Sequence, residues 1–373
     1  MTSIKSIQNH NYDLFKAKFA SSTSSDIVEE VFQFHKSIGN EKTPLIELKG
    51  LADYLEVQSI FVKDDSRRLG LNAFKGLGAS YAMNRQLEKN PKIEVFCTAT
   101  DGNHGKGLAW AAQNINKKVI VYVPKDTTLE RIKEIEKYNA NVYQLNLNYE
   151  DTCVYAYQES MKNNWCLVQD ASWDNYEEIP ALIMSGYLTH FKEIECFTNN
   201  MTKSKYDIIF LQCGVGSWAA SCIWYYMKEF KNNRPKIVLI EPDEACGVYE
   251  SFANGKRCSP RTTFNTIMAG LNCGIPSKSA WNIIQQGCDA VLKISDTDTK
   301  KAIKKLYYPK GGDPKIVSGE SGAAGLAGLL KVINNKELYE LKSYLNLNKD
   351  SKILLFNTEG DTDENSFKKI ISN

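Results

Sequence analysis

Lys75 stands in the run Asn72-Ala73-Phe74-Lys75-Gly76-Leu77-Gly78, flanked by apolar and small residues where a helix is expected to begin. An apolar pocket and the positive end of a helix both disfavour an ammonium. A lysine so placed has the lowered pKa that Schiff-base chemistry with a carbonyl compound needs. The commoner reading of such a run, a surface lysine on a helix, stays open on these residues alone.

Four further runs bear on the choice. Thr98-Ala99-Thr100-Asp101-Gly102-Asn103-His104-Gly105 follows the apolar Val95-Phe96-Cys97 and leads into a helix expected over 106–112. Backbone N–H groups at such a turn suit a carboxylate. Asp101 either caps that helix or, at a carboxylate-binding turn, handles a proton. Gly214-Val215-Gly216-Ser217 sits between an apolar run, 208–212, and a helix expected over 217–230. Its glycines allow close backbone approach, Ser217 adds a hydroxyl, and the helix dipole favours a phosphate. Tight turns also use glycine for steric reasons, and a dinucleotide loop would need a third glycine where Ala219 stands. Asn357-Thr358-Glu359-Gly360-Asp361-Thr362-Asp363 closes the last apolar run, with Thr358 either a hydroxyl partner for a ligand or a turn threonine bonding the backbone. Asp170, in 170–173, is either an acid of the site or the cap of a helix over 176–191. Ser318-Gly319-Glu320-Ser321-Gly322 is a secondary turn, leading into a small-residue helix over 323–330.

These runs share a position. Short apolar segments at 59–63, 118–123, 142–145, 208–212, 237–240, 290–294 and 353–356 read as buried strands, and amphipathic stretches such as 129–138 and 217–230 read as helices between them. Strand and helix in alternation imply an α/β chain with doubly wound parallel sheets, whose ligands sit beyond the carboxyl ends of the strands. The candidate runs lie at such ends.

With 373 residues, 43% hydrophobic and 24% charged, the chain is long enough for two domains. Its 46 basic and 44 acidic side chains leave +2, so no strong field favours nucleic acid or anionic lipid, and small-molecule chemistry is expected. Residues 1–20 lack the apolar centre of a secretory signal, which points to a cytosolic address. The apolar stretch 208–227 raises the question of a membrane span, but Gln212, Gly214, Gly216 and Ser217 in its middle favour a strand turning into a helix. Polar patches at 21–25 and 199–205 read as surface segments. Ten scattered cysteines without a Cys-x-x-Cys read as reduced thiols, Cys246 and Cys273 included. Four histidines show no metal-ligand spacing, so no metal site is expected.

Asn-Ala-Phe-Lys75-Gly-Leu-Gly, Thr-Asp101-Gly-Asn103-His-Gly, Gly214-Val-Gly-Ser and the terminal Thr358-Glu-Gly-Asp-Thr-Asp together resemble the fold type II, tryptophan-synthase-β-like enzymes that use pyridoxal 5'-phosphate. Within that group Asn72-Ala-Phe-Lys, Asp101, Gln169-Asp170-Ala-Ser-Trp173, Ile179-Pro180 and Glu359-Gly-Asp-Thr are similar to the diaminopropionate ammonia-lyase family, from about residue 63 to residue 363. The resemblance implies a large domain of residues 1–82 and 191–373 with the cofactor lysine and phosphate loop. Residues 83–190 would form a small domain with the substrate-carboxylate loop, and a homodimer is implied. Lys75 would form the internal aldimine and Asn103 would bond the phenolic oxygen. Gly214, Val215, Gly216 and Ser217 would hold the phosphate, and Thr358 would face the pyridine nitrogen and leave it unprotonated. Thr100, Asp101, Gly102 and His104 would bind substrate. With Lys75, Asp101 and Asp170 would carry the chemistry, the α,β-elimination of D- and L-2,3-diaminopropionate to pyruvate and ammonia. Related dehydratases typically carry serine where Asp101 stands. A serine or threonine dehydratase-type eliminase and a cofactor-binding protein without turnover are the rival expectations, with a nucleotide-binding oxidoreductase behind them. Asp65 in place of glutamate and Leu69 in place of phenylalanine depart from the family pattern and bear on how the segment before Lys75 packs.

Overall fold

The computed structural model describes residues 6–9, 26–195 and 203–372. Most of the segment read for a signal, the patch 21–25 and residues 199–202 of the patch 199–205 lie outside the described residues. Eleven strands are described: β1 (Ser6–Gln8), β2 (Leu45–Glu47), β3 (Ser59–Asp64), β4 (Val95–Ala99), β5 (Lys118–Val123), β6 (Asn141–Gln144), β7 (Cys166–Leu167), β8 (Ile208–Gln212), β9 (Lys236–Pro242), β10 (Ala290–Ile294) and β11 (Lys352–Asn357). They form a seven-stranded sheet, β1-β10-β9-β8-β11-β3-β2, and a four-stranded sheet, β6-β5-β4-β7. Both are parallel, as the alternation of strand and helix predicts. The exceptions are the edge strands β1 and β2, which pair antiparallel with β10 and β3. These three-residue edges and the two-residue β7 are too short to show as apolar runs.

Side chains of a strand alternate between faces, and in the inner strands both faces are covered; the edge strand β6, expected to be buried, is instead largely exposed. On β8, Ile209 and Leu211 join one core with Leu77, Ile183, Phe191 and Ile223, while Ile208 and Phe210 join another with Ile303, Leu326 and Leu329. Continuous apolar runs are therefore required, which is why these strands were legible. In the small sheet Val119, Val121 and Val123 face the first core and Ile120 and Tyr122 a third. The first core is thus common to both sheets, and it is joined across them by helices Gly76–Lys89 and Asn103–Asn114. Gly107 allows that approach: a Cβ there would lie 2.8 Å from Gly76 N and 2.9 Å from Lys75 C. The stretch 208–227 is β8 running into helix Ser217–Phe230, and no helix among the described residues is long and apolar enough to cross a membrane.

Candidate active site

The segment before Lys75 is strapped to the end of β11. Asp65 N donates to Asn357 O (2.8 Å), Phe74 N to Thr358 O (3.3 Å) and Gly360 N to Asn72 O (2.9 Å), with an antiparallel bridge between Ala73 and Glu359. Lys75 then caps helix Gly76–Lys89 and sends its Nζ to Asp170 Oδ2 at 2.5 Å. The two side chains are 19% and 6% exposed, so this pair is shielded from water. The lowered lysine pKa expected from the sequence is corrected here. Burial does press it down, but the Asp170 carboxylate outweighs burial and the net shift is upward. Burial likewise raises Asp170, and the Lys75 ammonium reverses it, to about 2. Asp170 caps no helix. The stretch 176–191 is divided into helices Glu178–Gly186 and Leu188–Glu195.

Helix Asn103–Asn114 starts three residues earlier than expected, because Thr100 closes the turn by accepting from Gly102 N (3.0 Å) and Gly105 N (3.3 Å). Gly102, not Asp101, is its N-cap. The N–H groups of Asp101, Asn103 and His104 find no protein acceptor among the described hydrogen bonds, which leaves three donors at a helix N-terminus. Burial pushes the Asp101 carboxyl up to about 6 against the pull of Arg131 and Lys75, with Asp170 and Glu359 adding to the rise. His104 Nε2 donates to Val168 O (2.7 Å), which fixes the tautomer; burial lowers its pKa, and the unprotonated Nδ1 is buried without a partner. Asn103 Nδ2 donates to Glu359 Oε2 (2.5 Å).

The backbone N–H groups of Gly214, Val215, Gly216 and Ser217 likewise donate to no protein acceptor among the described residues. They precede or open helix Ser217–Phe230, with Gly216 at φ +92 supplying the turn. One detail differs from expectation: the Ser217 hydroxyl donates to Asp170 O (2.6 Å), so this loop offers backbone donors and Ser217 ties it to Asp170. Thr358 Oγ1 does not bond the backbone as a turn threonine would. It accepts from Gln212 Nε2 at 2.8 Å.

Lys75, Thr100, Asp101, Asn103, His104, Asp170, Gly214, Val215, Gly216, Ser217 and Thr358 all line one cavity of about 750 Å³, counting its open mouth. Gly102 shapes the loop from behind and is absent from the lining. The cavity also presents Tyr149, Gln212, Cys273 and Glu359, for which sequence reasoning assigned no role. Gln212 and Glu359 could have been found: one is the polar last residue of an apolar strand, the other follows Thr358. Tyr149 and Cys273 lie in no strand-end motif. The nine described cysteines are free thiols, Cys246 and Cys273 among them.

Beneath this floor lies a buried charge network that explains Asp65 and Arg68. Arg68 forks onto Glu193 (Nη1–Oε1 2.8 Å, Nη2–Oε2 2.7 Å) and reaches Asp65 Oδ1 with Nε (3.0 Å), and Lys63 Nζ joins Glu193 at 2.6 Å. His190 contacts Asp65 through Nε2 and accepts from Trp218 Nε1 at 3.0 Å through Nδ1. Trp218 lines the cavity, so the network anchors both the segment before Lys75 and the start of helix Ser217–Phe230.

The chain is similar to known proteins over most of its length. A family model described as pyridoxal-phosphate dependent enzyme matches residues 36–345. A diaminopropionate ammonia-lyase from Salmonella typhimurium is 36% identical over 94% of this chain and 93% of its own. The chain belongs to the diaminopropionate ammonia-lyase family. This ammonia-lyase uses pyridoxal 5'-phosphate, and its sheets have the fold type II arrangement. The Escherichia coli diaminopropionate ammonia-lyase in complex with an aminoacrylate-PLP azomethine reaction intermediate superposes with a TM-score of 0.91, at 34% identity, covering 99% of this chain and 97% of that one. The same enzyme in complex with D-serine gives 0.91 at 33% identity, with coverage of 99% and 97%.

Proposed function

We propose that this lyase converts both enantiomers of 2,3-diaminopropionate, with one water, to pyruvate and two molecules of ammonia. The observation that carries the reading is a cavity that holds Lys75 with two carboxyls in different settings: Asp170 paired with the lysine at 2.5 Å and kept low by it, Asp101 without such a pair and pushed up by burial. The residues fit the cofactor. Lys75 is the amine for its aldehyde, and the four unused N–H groups of Gly214 to Ser217 suit its phosphate. Asn103 is the amide for its phenolic oxygen, and Thr358 the hydroxyl for its ring nitrogen. Bound pyridoxal phosphate supplies an electron sink that acidifies the α-proton of an amino acid held there.

The chain's own side chains do the rest. The free N–H groups of Asp101, Asn103 and His104 receive the substrate carboxylate, in the loop that Thr100 and Gly102 shape. The lone pair on His104 Nδ1 accepts from a substrate ammonium. Loss of an amine at the β-carbon needs a proton for the leaving nitrogen as well as a base for the α-proton. A carboxyl near 6 exchanges protons at neutral pH in a way that one near 2 does not. Asp101 and Asp170 belong to different loops, Asp101 beyond β4 and Asp170 beyond β7, and each serves as base for one enantiomer.

The experiment measures ammonia and pyruvate from D- and L-diaminopropionate with the wild type, Asp101→Asn and Asp170→Asn. Each variant is expected to lose mainly one enantiomer. Equal losses on both would refute the division of labour, and faster turnover of serine than of diaminopropionate would replace the reading with a dehydratase.

A further inference from the structure

Gln212 ends β8 as its only polar residue and is 4% exposed. Its Nε2 lies within hydrogen-bond distance of three acceptors: Phe356 O (3.1 Å), Gly322 O (3.2 Å) and Thr358 Oγ1 (2.8 Å). Two of these are backbone carbonyls, which only accept, so the amide can face them in one way only, nitrogen inward. Gln212 keeps this orientation although its own Oε1 is buried without a donor. Reversal would set an oxygen against two carbonyl oxygens.

The consequence falls on Thr358. Gln212 Nε2 has two N–H groups to share among the three acceptors and no lone pair to accept with, so the Thr358 proton cannot point back along that contact. Among the described hydrogen bonds the hydroxyl donates to no protein group, and the residue lines the cavity. We infer that Gln212 is a positioning residue that presents the Thr358 hydroxyl to the cavity as a donor. Resting on the reading that Thr358 faces the ring nitrogen of the cofactor, this makes Gln212 the reason that nitrogen stays unprotonated. A donor hydroxyl pairs with a nitrogen lone pair, whereas a ring N–H would meet the hydroxyl proton head on. The electron sink is thereby weakened, which suits a reaction whose departing group carries electrons away.

The test is the 15N resonance of ring-labelled cofactor in the holoenzyme, compared among the wild type, Thr358→Ala and Gln212→Leu. The wild type is expected at the unprotonated pyridine position. Gln212→Leu removes the amide that keeps the Thr358 proton turned to the cavity, and the cofactor resonance in that variant is expected to move most of the way to the pyridinium position. A wild-type resonance at the pyridinium position overturns the inference. If Thr358→Ala leaves the resonance where it was, the reading that puts Thr358 at the nitrogen fails. If Thr358→Ala moves it but folded Gln212→Leu does not, that reading survives and the role of Gln212 falls. Because Gln212→Leu strips two buried carbonyls of their donor and can compromise folding, neutron diffraction from wild-type crystals provides the second measurement. Deuterium on Thr358 Oγ1 directed into the cavity supports the inference, and deuterium directed at Gln212 overturns it without any variant or turnover.

Discussion

Asp101→Asn should make the apoprotein more stable while making the enzyme slower. Burial pushes the Asp101 carboxyl up to about 6 in the fold against 3.8 for an ordinary one, with Arg131 and Lys75 opposing it. At 1.36 kcal/mol per unit, a gap of roughly two units corresponds to about 3 kcal/mol. The sign follows from proton counting. Between pH 4 and pH 6 the folded protein still holds a proton that the unfolded chain has released, so stability falls as pH rises through that window and stays lower above it. Asparagine carries no charge at any pH and escapes this loss. The stability difference in favour of the variant is therefore about 1 kcal/mol at pH 4.5 and about 3 kcal/mol at pH 8. Urea denaturation of the two apoproteins at both pH values measures it. An offset independent of pH, or a variant weaker at pH 8, would refute the reasoning, since either means that the carboxyl is not held against its own ionisation. The same variant should lose roughly 10²–10⁴-fold in turnover of the enantiomer it serves.

Three other substitutions probe what holds the site. Glu193→Gln leaves Lys63 and Arg68, 2% and 0% exposed, with Asp65 as their one remaining carboxylate. It should cost about 3–5 kcal/mol by urea denaturation, where a surface pair would cost under about 1 kcal/mol. Gly107→Val drives a side chain into the backbone at Lys75 and Gly76; the lost stability should be about 1–3 kcal/mol, with a larger proportional loss of the visible absorbance of bound cofactor, read by titration with pyridoxal phosphate. Gly216→Ala puts a Cβ at φ +92 and 2.7 Å from Ile284 Cδ1. Strain of about 1–2 kcal/mol falls on the loop proposed to hold the phosphate, so the cofactor Kd should rise roughly tenfold, and an unchanged Kd would mean that the loop does not carry the phosphate.

The larger strands and the loops at their ends were legible because a parallel sheet covered on both faces demands unbroken apolar runs, and the polar residue that stops each run marks where ligands can bind. β4 was noted only as the apolar run before Thr98 and not read as a strand, and β1, β2 and β7 were not legible at all. Two or three residues carry no periodicity, and Ser6 to Gln8 becomes a strand only because β10 lies beside it. Distant partners were equally hidden: nothing local to Asp65 or Arg68 announces Glu193 or His190. Nor could the segment at 72–74 announce that it would be strapped to 358–360, although that strap sets Lys75 beside Thr358 and Glu359.

Protonation was the least legible property, and the two aspartates show why. In sequence each is a carboxylate just past a short apolar run, and the same pair of readings, cap or acid, fits both. In the fold neither caps a helix, and they diverge. Asp170 meets the Lys75 ammonium at 2.5 Å and is held at about 2; Asp101 has no such pair and rises to about 6. Burial acts on both in the same direction, so the difference is set by which carboxylate the lysine reaches. Lys75 itself carries the converse lesson. Its apolar flanks do press its pKa down, as the sequence suggests, and one carboxylate brought from 95 residues away reverses the sign. On the proposed role of Lys75 as the amine for the cofactor's aldehyde, binding would alter the group that faces Asp170. Asp170 therefore depends on whether the cofactor is bound in a way that Asp101, shifted chiefly by burial, does not. A carboxyl whose proton affinity is set by the fold can be ready before the cofactor arrives, whereas one set by the lysine is poised only once that lysine is engaged.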